Sequence, residues 1–323
     1  MNTYLGVDIS KKTFDITLLI SDKSISKKFS NDVKGFKDLL SWLKKQNVSE
    51  PHACLEATGF YSEALAEFLF DREYAVSVIN PVCIKHYAQS RLKRHKTDKI
   101  DSTLIAEYCK IHNPTLWRKP TADLKKLREL SRCLEDLKIQ LNQVVNHLEK
   151  KSRSSKLVIN TWTSLKSKLE KQMEKIYTEI DNLFKANDDL DKKRKNLETI
   201  PGIGKKTAIT LLAEIPDINS FKNSRQLVAF AGLVPSQKFS GSSVKGRSKL
   251  SKMGSGHLRK ALFFPAITAK KFNPMIKDFC KRLEQKRKHS FVIIGAAMHK
   301  LLSIVFAVLK NNTVFEQEFT KTN

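Results

Sequence analysis

Tyr4-Leu5-Gly6-Val7-Asp8-Ile9 is an apolar strand pattern with one acid set into it. A lone carboxylate in such a run is costly to bury, so Asp8 needs a partner from elsewhere in the fold. Downstream, Thr13 to Ile20 repeats at period two, with Phe14, Ile16, Leu18 and Ile20 on one face. A short third strand around Ser26 to Ser30 would complete a meander. Helix-like segments at Val33 to Lys45, Tyr61 to Phe70 and Pro81 to Ser90 then separate the strand candidates His52 to Ala57 and Ala75 to Ile79. That order predicts an α/β domain, a mixed sheet covered by helices, running to about Pro120.

Other acids repeat the situation of Asp8. Glu56 ends the apolar run of Cys54-Leu55-Glu56 just before Gly59. Asp98 and Asp101 follow in Lys96-Thr97-Asp98-Lys99-Ile100-Asp101, and a helix starting there puts both on one face. Asp8, Glu56, Asp98 and Asp101 together are a candidate site for Mg²⁺, which prefers hard oxygen ligands and keeps positions open for phosphate, with Mn²⁺ as a substitute. Taken singly, each acid also fits a solvated strand end or a helix cap. Arg91, Lys93, Arg94, His95 and Lys96 precede the last pair and suit a phosphate backbone.

Beyond Leu127 the spacing changes. Leu127, Leu130, Leu134, Leu137, Leu141, Val144 and Leu148 step by threes and fours, a coiled-coil pattern. After the basic break at Lys151 to Lys156, Trp162, Leu165, Leu169, Met173, Ile176, Ile180 and Leu183 repeat it less strictly. A helical hairpin results, its stripes pairing with each other or also with a second copy. Near Asn196 a further helical region begins. Its segment Ile200-Pro201-Gly202-Ile203-Gly204-Lys205-Lys206 resembles a helix-hairpin-helix, whose backbone N–H groups can hold a DNA phosphate; the alternative is a turn used for packing. A Gly/Ser/Lys-rich stretch from Ser236 to Gly256 divides the region, and composition alone reads it as a flexible basic linker. A serine there can attack a phosphodiester if activated, with Lys245, Arg247, Lys252 and Arg259 available to stabilise charge on phosphorus.

Across 323 residues, 59 Lys+Arg against 33 Asp+Glu give a formal net charge of +26, spread from Lys11 to Lys321. A polyanion is the expected partner, and nucleic acid is favoured because neither end offers a basic amphipathic anchor or lipidation signal. The five cysteines have no Cys-x-x-Cys spacing, which predicts reduced thiols in a cytoplasmic protein and no structural zinc. The N-terminus lacks the layout of a secretion signal. Phe291 to Leu309 is apolar but interrupted by His299 and Lys300, so a buried helix rather than a membrane span is expected.

Together these motifs resemble the DEDD-type insertion-sequence transposases, a family related to pilin-gene invertases that includes bridge-RNA-guided recombinases. The resemblance rests on the acids in order and on Gly232-Leu233-Val234-Pro235, Ser240-Gly241, and Lys252-Met253-Gly254 with Leu258-Arg259. It implies a RuvC-like (RNase H fold) domain over 1–120, a coiled-coil hairpin over 121–195, and a mainly α C-terminal transposase domain over 196–323. By position, Asp8, Glu56, Asp98 and Asp101 match the family's Mg²⁺-binding acids, and Ser240 matches the nucleophile that becomes joined to DNA. Ser242 and Ser243 follow closely, so the nucleophile stays open within three positions. The resemblance further implies double-stranded donor and target DNA, a noncoding guide RNA, and a homo-oligomer, dimer or tetramer, in which one protomer's acids meet another's serine. The competing readings are a RuvC-like nuclease using water, and a noncatalytic nucleic-acid-binding protein.

Overall fold

The computed structural model describes residues 3–21, 23–57, 59–91, 98–149, 155–236, 239–240, 244–245 and 249–316, without the side chains of 60, 98–100, 236, 239–240, 244–245 and 249. Contacts divide the chain into two units, Met1–Lys119 and Pro120–Asn323.

In the first unit, β1 (Thr3–Ile9), β2 (Thr13–Ile20) and β3 (Lys23–Ser30) form the expected antiparallel meander. Beyond β1, β4 (His52–Glu56) and β5 (Val76–Ile79) pair in parallel, giving the five-stranded order β3-β2-β1-β4-β5. Strand periodicity sorts the side chains onto two faces. Leu5, Val7, Phe14, Ile16, Leu18, Ala53 and Leu55 are fully buried in one apolar cluster with Leu39 and Leu43 of α1 (Val33–Lys45) and Leu65 and Leu69 of α2 (Phe60–Phe70). The opposite face, carrying Tyr4, Gly6, Asp8, His52, Cys54 and Glu56, meets α4 (Asp98–His112), which packs in turn on α3 (Pro81–Ser90). Asp32 caps α1, accepting a 2.8 Å hydrogen bond from the Gly35 amide.

The second unit begins with the hairpin of α5 (Ala122–Leu148) and α6 (Lys156–Ala186). At its far end His147 and Trp162 stack with ring centroids 4.4 Å apart. At its near end Leu127, Leu134, Ile180, Leu183 and Phe184 enter the core formed with α7 (Asp188–Glu198), α8 (Lys205–Glu214), α9 (Ser224–Phe230), α10 (Gly256–Phe272), α11 (Pro274–Gln285) and α12 (Ser290–Asn311). The hairpin and the C-terminal helices, expected as separate segments, therefore share one core. Arg132 of α5 locks the join through a two-pronged pair, at 2.8 and 3.1 Å, with the buried Glu214 of α8. The apolar α12 is long enough to cross a membrane, but Leu301, Leu302 and Val305 are fully buried within this core, as a core helix requires.

The cysteines depart from expectation. Cys54 and Cys109 are joined as a disulfide, with Cα atoms 6.0 Å apart, whereas Cys83, Cys133 and Cys280 are free. Sequence spacing gave no sign of the bond because β4 and α4 meet only after the chain crosses the sheet.

Candidate carboxylate centre and serine segment

Gly6 sets how closely α4 lies on the sheet that carries the acids of the first unit. A Cβ at this position would lie 2.1 Å from the Ser102 carbonyl oxygen and 2.3 Å from the Ala106 amide, so the helix backbone rests directly on the strand. Two hydroxyl contacts fix the same place, Thr17 Oγ1 with Ser102 Oγ at 2.9 Å and with Thr103 Oγ1 at 3.1 Å. About two turns beyond Ser102 along α4, Cys109 meets Cys54 and lies 3.7 Å from the carbonyl of His52. Since Gly6 pairs with Cys54 and Tyr4 with His52, α4 runs antiparallel to β1 and β4. Its first turn, with Asp98 and Asp101, therefore lies toward the C-terminal ends of those strands.

Those ends carry the other two acids. The β1–β4 register closes at Val7 and Leu55, and Asp8 and Glu56 are the next residues on their neighbouring strands, both facing α4. Asp8, Glu56 and Asp101 are all half-buried. Asp98 begins α4, but its side chain lies outside the described residues. Across the antiparallel ladder Asp8 also pairs with Asp15, whose carboxylate takes Lys28 Nζ at 3.1 Å. Oxygen donors from two strands and one helix suit a hard divalent ion. Gly6, Thr17 and Ser102, which position this arrangement, were missed by sequence reasoning; the signal available was a glycine on the same strand face as Asp8.

In the second unit the stretch read as a linker forms a β-ribbon. Strands β6 (Pro235–Ser236) and β9 (Lys249–Leu250) pair antiparallel at the base, and β7 (Phe239–Ser240) and β8 (Val244–Lys245) pair above them with Ser240 opposite Val244. Ser240 thus ends the last described rung before the turn. The base is clasped by backbone hydrogen bonds from Ser251 to Val234 (2.9 Å), Lys252 to Gly232 (3.2 Å) and Ser255 to Phe230 (2.8 Å). Gly254 at φ +149° leaves no room for a side chain, since a Cβ would sit 2.2 Å from the Phe230 carbonyl. Arg259 turns inward, its Nη1 donating to the carbonyls of Ala231 (2.9 Å) and Gly254 (3.1 Å). It braces both feet of the ribbon, a use that its place in the sequence did not suggest.

The remaining candidates divide. Gly202, at φ +108°, packs against α10, where a Cβ would be 2.8 Å from the Pro265 carbonyl; Gly204, just before α8, has open space at its Cα. Lys205 pairs with Asp181 at 2.8 Å and Lys206 lies over the Tyr177 ring at 5.7 Å. Arg91 reaches Glu107 at 3.4 Å, and Lys252 is exposed. Lys93, Arg94, Lys96 and Arg247, and the side chains of Ser240 and Lys245, lie outside the described residues.

Comparison with known proteins joins the two halves. A DEDD transposase model of the IS110 type matches residues 5–154, and the model of the transposase IS116/IS110/IS902 family matches residues 194–281. The chain is 36% identical to the pilin gene-inverting protein of Moraxella bovis over 322 residues, 98% of each chain. It is 27% identical to the transposase for insertion sequence element IS1111A of Coxiella burnetii over 192 residues, 51% of each chain. Enzymes that recombine DNA are thus its class, and the chain belongs to the IS116/IS110/IS902 family of transposases. DNA is the substrate such membership implies, and a DEDD domain implies use of a divalent metal.

Proposed function

We propose that the chain cuts and rejoins double-stranded donor and target DNA through a covalent phosphoserine at Ser240, with Asp8, Glu56, Asp98 and Asp101 holding Mg²⁺, or Mn²⁺ in its place. The observation that carries this reading is the docking of α4 on Gly6, which turns the helix end bearing Asp98 and Asp101 toward the strand ends bearing Asp8 and Glu56. When bound, the ion stabilises charge on a phosphodiester under attack. The Ser240 Oγ–phosphorus bond forms as the bond from phosphorus to one deoxyribose oxygen breaks. Serine gives its proton to a base, and the departing oxygen takes one up. Attack by a hydroxyl of another strand reverses the step, freeing the serine, so rejoining needs no ATP.

Cations from both units then serve the DNA backbone. Arg91, Lys93, Arg94 and Lys96 lie beside the acids in sequence, and Lys245, Arg247 and Lys252 accompany the serine. The open approach at Gly204, with Lys205 beside it, suits a phosphate at the start of α8 as in a helix-hairpin-helix, while Gly202 serves packing. Arg259 supports the ribbon from below. A noncoding guide RNA, a dimer or tetramer in which protomers share sites, and a cytoplasmic location complete the reading.

The test uses the full chain with DNA from the ends of its own element, separated on denaturing gels and followed by mass mapping of any protein–DNA adduct. Ser240→Ala is expected to abolish the adduct and strand exchange, and Asp8→Asn to slow cleavage by ~100-fold or more, both with DNA binding retained. Undiminished cleavage by Ser240→Ala would restore water as the nucleophile. An adduct on Ser242 or Ser243 would move the role along the ribbon.

A further inference from the structure

Cys54 and Cys109 take no part in the chemistry above, yet they sit where it is assembled. They are 55 residues apart in sequence, and both side chains are fully buried, packed with Ile79, Ile84, Leu104 and Ile105. Cys54 precedes Glu56 by two residues on the same face of β4, and Cys109 lies eight residues after Asp101 on α4. The bond between them is therefore a cross-link between the strand that carries Glu56 and the helix that carries Asp101. Without it, α4 is held at this height by the Gly6 approach and the Thr17–Ser102 hydroxyl contact.

His52 is the other polar group beside the pair. One His52 ring nitrogen and the two sulfurs lie within 4.8 Å of one another, a spacing that also suits a soft metal ion. Its Nε2 already meets Ser77 Oγ at 2.8 Å, and the sulfurs are bonded to each other. Both features favour redox chemistry over metal binding.

We propose that Cys54 and Cys109 are a redox-modification site, a reversible disulfide exchanged with low-molecular-weight disulfides such as oxidised glutathione, which tethers the helix bearing Asp101 to the strand bearing Glu56. One cysteine loses its proton and attacks a sulfur of the small disulfide; one small thiol leaves and takes up a proton. The second cysteine, losing its proton, attacks the mixed disulfide and releases the second small thiol. Two electrons pass from the cysteine sulfurs to the small disulfide, and the protein gains one S–S bond. Because both sulfurs are buried, exchange waits on opening of α4 from the sheet. Ions that draw the acids of strand and helix together are thus expected to slow reduction. That last consequence, and any effect on DNA cleavage, rests on the proposed metal role of the acids; the disulfide itself does not.

The experiment equilibrates the full chain in glutathione buffers of stepped redox poise, traps thiols by alkylation and maps peptides without reduction. A linked Cys54–Cys109 peptide that appears and disappears reversibly is expected. Oxidation should raise the unfolding temperature by on the order of 10 °C, as closure of a long loop implies. Cys109→Ala should abolish both effects, and dithiothreitol should reduce the wild-type bond several-fold more slowly with Mg²⁺ present. Separate alkylation of Cys54 and Cys109 at every poise would overturn the proposal, as would stoichiometric zinc in the purified chain that Cys109→Ala removes. Reversible linkage with equal reduction rates with and without Mg²⁺ would leave the redox site standing and count against the acids as metal ligands.

Discussion

The carboxylate end of the first unit and the serine ribbon of the second are built on opposite principles. Asp8, Glu56 and Asp101 stand at the ends of a packed sheet and helix, whose relative position is set by close backbone approach, hydroxyl contacts and a disulfide. Ser240 stands on a ribbon of two-residue strands fastened at its base by backbone hydrogen bonds, Gly254 and Arg259. The metal role proposed for the acids would need such a stiff frame, because ligands from two strands and a helix must keep one geometry. The nucleophilic role proposed for Ser240 would gain from a ribbon that stands clear of the core on a firm base.

The largest effect should come from removing the close approach in the first unit. Gly6→Val places a side chain where a Cβ already lies 2.1 Å from the Ser102 carbonyl. Helix α4 must then lift from β1, at a cost of ~3 kcal/mol or more. Thermal unfolding should show a marked loss of stability, and metal-dependent DNA cleavage should disappear. A variant of wild-type stability that still cleaves would show that the contact with α4 does not position the acids.

A smaller change should separate the two regions. Gly254→Ala forces a side chain into a left-handed backbone against the Phe230 carbonyl, at a cost of about 1–3 kcal/mol concentrated at the ribbon's foot. The covalent adduct with DNA should fall sharply while binding of Mn²⁺ by the full chain is unchanged. Loss of both would mean that the two regions are not independent in this sense. Arg259→Ala offers a companion reading, since added guanidinium ion should restore part of the adduct if the arginine acts by bracing the two carbonyls.

The same contrast governs what could be read in advance. The strands of the sheet were legible because burial leaves a periodic mark, as in the alternating Phe14, Ile16 and Leu18. The helix that the spacing of Asp98 and Asp101 required for one shared face does begin at Asp98. The ribbon left no such mark, because its two-residue strands are held by backbone groups common to every sequence. Gly202 looked like part of a phosphate-binding turn but spends its missing side chain on contact with α10. The Cys54–Cys109 bond stayed hidden because pairing depends on which strand α4 crosses, a property of the folded sheet alone.

The smallest expected effect concerns the end of the sheet away from the acids. His52 is half-buried with its Nε2 at 2.8 Å from Ser77, and burial holds its pKa below the ordinary 6.5. The folded state therefore favours the neutral ring, whereas the unfolded chain takes up a proton at about the ordinary value. Above pH 6.5 this contribution to stability is complete; as pH falls below it the unfolded chain binds the proton first and stability declines, levelling off once the pH is beneath the folded pKa. In the second unit, His299 on α12 is shifted the same way, chiefly by burial, so both units should weaken over this range. Unfolding temperatures measured between pH 8 and pH 5 should fall in the wild type and fall less steeply in His52→Gln, whose amide does not titrate. If the two profiles run parallel, His52 is already protonated or exposed in the folded chain, and the acid sensitivity belongs to His299 and the second unit.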